Sequence, residues 1–270
     1  MRRVYPFYVA VPAALFLAFA CGPPPAPKAP VAGTDVAAPP GPPQTSNLKP
    51  QTSNESPPVS PPPASKDTGP ATKPPNASEV PADLKSDGYY YYSLAYDKPM
   101  KIELRISGSP EIRTGTQTIS LKSIDHGVPV YRIERSGGLA DLGEQELKLT
   151  KEGLLNTAST IAKVTPHDIE MPAKLAPGTT WPSHTEIEQG ATPMSLDSVF
   201  RVVGMEKVQT PAGEHQAMLI TSTGKGTIGG KKVTTTFKGW FVKDLGNVKT
   251  ILGTTYSDGT KREITMQETK

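Results

Sequence analysis

The sequence predicts an all-β domain, an antiparallel meander that curves into a sheet or half-barrel, placed after a disordered proline-rich tether. Three observations lead there. Apolar and polar residues alternate with period two in segments of residues 101–267. Turn residues punctuate those segments at hairpin spacing. Nineteen of the 30 prolines are confined to residues 22–88, ahead of them.

Residues 1–20 read as a lipoprotein signal peptide. Arg2 and Arg3 give a charged start, and an apolar run from Val9 to Ala20 follows. That run is too short to span a bilayer and ends on small residues before a cleavage point. Ala18-Phe19-Ala20-Cys21 resembles a bacterial lipobox, in which lipid is added to the cysteine and the chain is cut before it. Ala18 stands where leucine is usual, and Phe19 is bulky for its place. Cys21 is the one cysteine, so no intrachain disulfide can form. The expectation is a palmitate-type lipid on Cys21 and a place in the cell envelope. The protein would sit on the outside of the cytoplasmic membrane, or on the outer membrane or periplasmic side if the cell has two membranes.

Residues 21–88 are the lipidated cysteine and its linker. The stretch from Gly22 to Gly88 has no aromatic residue, and its only leucines are Leu48 and Leu84. Such a segment buries too little apolar surface to offset its ordering entropy. Its prolines favour short polyproline II runs, and a coil of this length spans about 45 Å. A spacer is the reading; Pro-x-x-Pro docking motifs arise by chance in this composition.

Residues 89–270 form the all-β domain. Twenty-two of the 29 basic and 20 of the 26 acidic residues lie there, a net charge of +2 with no basic run. That speaks against a nucleic-acid partner. Tyr89-Tyr-Tyr-Tyr92 reads as a first strand, with Tyr89 and Tyr91 on one face. Lys101-Ile-Glu-Leu-Arg-Ile106 alternates, with Ile102, Leu104 and Ile106 on one side. Thr116–Lys122 does the same with Ile119 and Leu121, Asp125-His-Gly127 turns the chain, and Val128–Ile133 follows. The leucines between Leu139 and Val164 suit strands, with one helix at most. Ala176-Pro-Gly-Thr179 has Pro and Gly at the centres of a type II turn. Val199–Val203 begins the next run. Ser257-Asp-Gly-Thr260 is a hairpin turn between Val248–Tyr256 and Lys261–Gln267.

Gly224-Lys-Gly-Thr-Ile-Gly229 spells G-x-G-x-x-G. A dinucleotide fingerprint needs a helix after its glycines, so that the pyrophosphate meets the helix N-terminus. Val233-Thr-Thr-Thr-Phe237 follows instead, which is strand material. Gly229-Gly230 is then a hairpin turn, and no nucleotide site is expected. A Walker A loop fails as well, because Lys225 stands where its first glycine belongs.

His126, His167, His184 and His215 form no pair at metal-ligand spacing. No G-x-S-x-G elbow is present. Each histidine reads as a solvated polar residue, Glu214-His215 included. No catalytic residue, metal or cofactor is expected. Tyr89, Tyr91, Trp181, Trp240, Leu252 and Tyr256 are candidates for core or for the lining of a hydrophobic ligand site.

Val202-Val-Gly-Met-Glu-Lys-Val-Gln-Thr-Pro-Ala-Gly213 resembles a strand-turn of TapB-like bacterial envelope proteins. Trp240-Phe-Val-Lys-Asp-Leu-Gly-Asn-Val-Lys249 is similar to a hairpin of that family, and Leu175-Ala-Pro-Gly-Thr-Thr-Trp181 to its entry segment. The family has an aromatic residue where this chain has His215. Over about residues 172–252 the resemblance implies a fold similar in outline to LolA/LolB-like open β-barrels. It brings no catalytic residues. The implied function is a non-catalytic module binding a hydrophobic ligand or an envelope partner. The alternatives are a structural or surface-interaction lipoprotein without a pocket and, third, an envelope-polymer hydrolase.

Overall fold

The computed structural model describes residues 77–95, 98–164, 168–187 and 192–270. The signal segment, Cys21, most of the proline-rich stretch, Tyr96 and His167 lie outside the described residues. Twelve antiparallel strands make one sheet: β1 Met100–Ile106, β2 Ile112–Asp125, β3 Val128–Gly137, β4 Gln145–Leu149, β5 Gly153–Ser159, β6 Asp168–Pro172, β7 Thr180–Ile187, β8 Met194–Thr210, β9 Gly213–Ile228, β10 Lys231–Val242, β11 Gly246–Tyr256 and β12 Lys261–Glu268.

Each strand from β1 to β6, and each from β7 to β12, pairs with its neighbour in sequence, and β12 also pairs with β1. The sheet therefore curls into a nearly closed half-barrel whose two edges are β6 and β7. Between those edges an isolated bridge joins Lys163 to Glu186. The all-β meander expected from the sequence is the architecture found.

The turns follow their residue chemistry. His126 and Gly127 take φ of 49° and 81° in the β2–β3 hairpin. Thr179 N–H donates to the Ala176 carbonyl at 2.9 Å, closing the turn before β7. Gly229 and Gly230, at φ 56° and 77°, connect β9 to β10, a geometry in which a Cβ is strained. Gly224 and Gly226 lie within β9 itself. A Cβ on Gly224 would run into the hydroxyls of Ser198 and Thr235, and one on Gly226 into the Ser195 carbonyl. The glycine motif thus serves strand packing.

The tyrosine run departs from its reading. Residues Asp87–Tyr91 form a short helix, α1, where alternation suggested a strand. Asp87 fixes it: its N–H donates to the Ala173 carbonyl at 3.0 Å, and its Oδ2 accepts from Leu175 N–H at 3.0 Å. Gly88 allows close approach, since a Cβ there would stand 2.9 Å from the Pro172 carbonyl oxygen. Two short 3₁₀ turns, Ala77–Glu79 and Ala82–Leu84, precede α1. Val80 and Leu84 are buried in the core. The described fold therefore starts ahead of Tyr89.

The main core fills the barrel. Trp181 stacks on Phe200 at 5.3 Å, and Phe200 meets Phe237 edge-on at 5.4 Å. Across β10, β11, β12 and β1, Phe237, Leu252, Ile264 and Ile106 continue the row. A second, smaller core gathers Val208, Ala217, Leu219, Trp240 and Val248. Trp240 Nε1 donates to Glu206 Oε1 at 2.5 Å there, which satisfies the one polar atom of a buried indole. No helix among the described residues is long and apolar enough to cross a membrane.

Candidate functional site

Inward-facing positions on the first half of the barrel are apolar along most of each strand and polar at one end. On β2 the row is Leu121, Ile119, Gln117; on β3 it is Tyr131, Ile133, Arg135. The register sets Gln117 opposite Arg135, and Gln145 opposite Ile133. Glu170 on β6 and Tyr92, just past α1, reach the same place. Together these side chains form a polar cluster inside the barrel.

Glu170 is only 4% exposed. Its Oε1 accepts from the Tyr92 hydroxyl at 2.6 Å, and its Oε2 from Gln145 Nε2 at 3.3 Å. Burial pushes the Glu170 carboxyl up to about 7, against the opposing pull of those hydrogen bonds and of Arg135. Burial also pulls the Arg135 guanidinium down, to about 10, so it stays charged at neutral pH. Burial first, and Glu170 second, hold the Tyr92 phenol well above its ordinary range. Arg135 donates from Nε to Gln117 Oε1 at 3.0 Å and from Nη1 to the Gly143 carbonyl at 2.9 Å. Its Nη2 has no acceptor among the described residues. Gln145 Oε1 and Asn156 Oδ1 are buried with no hydrogen-bond partner there. Such atoms are costly to leave dry and are suited to ordered water.

This cluster forms one pole of a cavity of about 60 Å³ between the two halves of the barrel. Tyr92, Gln117, Arg135 and Glu170 make its polar side. Ile102, Ile119, Phe237, Phe241 and Met266 make its apolar side. Asn247 and Thr250 also line it and are joined to each other, Asn247 Nδ2 donating to Thr250 Oγ1 at 2.9 Å. Glu170, Phe237 and Phe241 are buried, whereas Gln117, Ile119, Arg135 and Met266 keep part of their surface. The cavity is thus reached from solvent. At this volume it holds a few waters or a small group.

None of the six residues singled out in the sequence lines this cavity. Tyr89, Trp181 and Leu252 are main-core residues, and Trp240 belongs to the second core. Tyr91 and Tyr256 pack on the main core while partly exposed. Tyr91 also donates its hydroxyl to Met205 Sδ at 3.7 Å. The histidines stand elsewhere too. His126 pairs with Asp125 at 2.6 Å on the surface, and His184 with Asp197 at 2.8 Å. His215 is not the solvated residue expected: it is largely buried and lies 3.1 Å from Glu268. Its partner is 53 positions away in sequence, on β12, where local pattern gives no warning. Among the described residues no group of three His, Cys, Asp or Glu side chains is placed to hold a metal.

Comparison with known proteins adds one family. Residues 133–251 match the DUF3108-like family. The match spans less than half of the chain and overlaps the stretch that carries the TapB-like pattern, but it names a different family. It includes Arg135, Gln145 and Glu170 and stops short of β12. No curated protein matches the chain. Among solved structures, similarity is found to a candidate exported protein with a YmcC-like fold from Bacteroides fragilis, at 6% identity and TM-score 0.39, covering 67% of this chain and 98% of that one. A candidate lipoprotein from Parabacteroides distasonis is similar at 7% identity and TM-score 0.41, covering 65% and 95%. The hypothetical lipoprotein YmcC from Escherichia coli is similar at 12% identity and TM-score 0.31, covering 72% and 90%.

Proposed function

We propose that this chain is a lipid-anchored protein of the bacterial cell envelope, and that its barrel is a non-catalytic module binding a hydrophobic ligand or an envelope partner. Cys21 would carry the lipid, and the proline-rich stretch would hold the barrel clear of the membrane. The charged start, short apolar run and following cysteine support the anchor. The observation that carries the binding reading is the cavity: a solvent-reached space with convergent polar groups on one side and apolar side chains on the other. The TapB-like pattern over residues 172–252 would imply a barrel similar in outline to LolA/LolB, which suits a module of this kind.

Two measurements test it. Cys21→Ser should abolish palmitate labelling and release the protein from the membrane fraction; a mature N-terminus away from residue 21 would count against the anchor. Native mass spectrometry of the purified protein should find a retained small molecule. A specific observation favours a second reading, a structural lipoprotein without a ligand pocket: about 60 Å³ is small for a ligand site. A protein that carries nothing, and takes up nothing offered, would decide for that reading.

A further inference from the structure

We propose that the cavity takes the anionic head of a single-chain amphiphile, Arg135 and Gln117 holding the head and Phe237 and Phe241 the first part of its apolar chain. This rests on the reading of the barrel as a binding module. A guanidinium offers five N–H donors. Arg135 spends Nε and Nη1 on Gln117 and the Gly143 carbonyl, and Nη2 has no acceptor among the described residues. Gln117 receives Arg135 on its oxygen, so its amide NH₂ is left to donate. Both side chains line the cavity. Among the groups that line this pole, both Glu170 oxygens already take hydrogen bonds, and the unpartnered Gln145 Oε1 and Asn156 Oδ1 belong to residues that do not line the cavity. What the pole offers a guest is therefore donors and positive charge.

That narrows the guest. A cation would meet the guanidinium. A neutral apolar molecule would strip water from Nη2 and leave it unpaired, a desolvation cost without return. A bare inorganic anion would leave Phe237, Phe241, Ile119 and Met266 without a partner. A head with one negative charge and one apolar chain answers both walls. The volume sets the rest: a head and a few carbons fit, and the chain leaves past the part-exposed Ile119 and Met266. Two acyl chains do not fit.

Charge gives the site a pH dependence. The titratable groups facing Glu170 are Tyr92, from the segment after α1, and Arg135, from β3; β4 offers the neutral Gln145. Tyr92 stays neutral and Arg135 stays charged over the accessible range. Below about 7 Glu170 is protonated and Arg135 is uncompensated; above it the carboxylate cancels that charge. Anion affinity should fall as pH rises through 7.

The test uses the full chain carrying Cys21→Ser, titrated calorimetrically at pH 6 and pH 8 with decanoate, decanol and inorganic phosphate. Decanoate should bind, more tightly at pH 6. Decanol and phosphate should each be weaker by about tenfold or more, as expected for loss of one charge-assisted pair or of the apolar contact. Arg135→Met should lose decanoate by a similar factor. Glu170→Gln should keep binding and lose the pH dependence, a result that stands even if Arg135→Met does not fold. Decanol binding as tightly as decanoate would overturn this inference and leave the binding module intact. Phosphate binding as tightly would also overturn it, in favour of a small-anion site. If no probe binds, this inference falls, and the hydrophobic-ligand reading falls with it when native mass spectrometry also finds nothing retained.

Discussion

The two halves of the barrel are built from similar hairpins and differ in what they turn inward. In β7–β12 one inner row runs Trp181, Phe200, Ser222, Phe237, Leu252, Ile264, aromatic and aliphatic apart from a single serine. The next row, Ser183, Ser198, Gly224, Thr235, Thr254, is made of small residues that let the strands curve closely. In β1–β6 the inner rows of β2, β3 and β4 start apolar and end on Gln117, Arg135 and Gln145, with Glu170 alongside. One half is shaped to pack, the other to hold a buried charge. The difference shows that one nearly closed sheet can assign stability and chemistry to separate strands without separate domains.

That division can be broken at measurable cost. Leu252→Ala, at a side chain only 1% exposed, should destabilise by about 2–5 kcal/mol in chemical denaturation, because deletion in a packed row leaves a cavity. A loss well under that range would mean the packing half is loose and that Leu252 borders open space. On the other half, Glu170 holds its proton more tightly when folded, at about 7, than an ordinary carboxyl at 4.5. The folded state then binds more protons between those values, so stability falls as pH rises from the lower to the higher and levels off above. The Glu170-dependent part is about 3 kcal/mol. It should appear as the difference between wild type and Glu170→Gln across pH 4–8, and parallel curves would contradict it.

Two smaller changes sharpen the contrast. Gly224→Ala should cost about 1–3 kcal/mol by overpacking against Ser198 and Thr235. An unchanged melting temperature would show that the small-residue row has slack. His215→Ala removes the contact with Glu268 outside the cavity. It should cost about 1–3 kcal/mol, because both side chains are largely buried and the change strips a neighbour from the buried Glu268 Oε2, and should leave decanoate binding as in wild type. A loss of binding with an intact fold would move the site away from Arg135.

The strands were legible because their alternation survives in the fold. Ile102, Leu104 and Ile106 are all buried on β1, and the Asp-Gly and Gly-Gly turns fall where their backbone preferences put them. Alternation failed at Tyr89–Tyr92, since tyrosine suits either structure and the deciding contacts, Asp87 with Leu175 and Gly88 with Pro172, come from far along the chain. The candidate site was half visible. Arg135 stands in phase with Tyr131 and Ile133, and Gln117 with Ile119 and Leu121. A polar residue on an otherwise apolar face is a signal that the sequence carries. Its meaning was hidden because only register places Gln117 beside Arg135, and only the curl of the sheet brings Glu170 and Tyr92 to them. Trp181, Trp240 and Leu252 drew notice by size, and size here marks packing.

The pairing of β1 with β12 carries one more consequence. Gln267 Nε2 reaches Glu103 Oε1 at 2.7 Å across 164 positions of sequence. β1 pairs with β2 as soon as that strand is made, but its second edge finds a partner only when β12 emerges. Until then β1 presents a bare edge, and such long-range closure is slow. A chain clipped or stalled before residue 261 has no β12 and exposes the free edges of β1 and β11, which invite aggregation or proteolysis. Docking of β12 therefore covers the edges of β1 and β11 in one step, and leaves β6 and β7 as the edges of the sheet among the described residues.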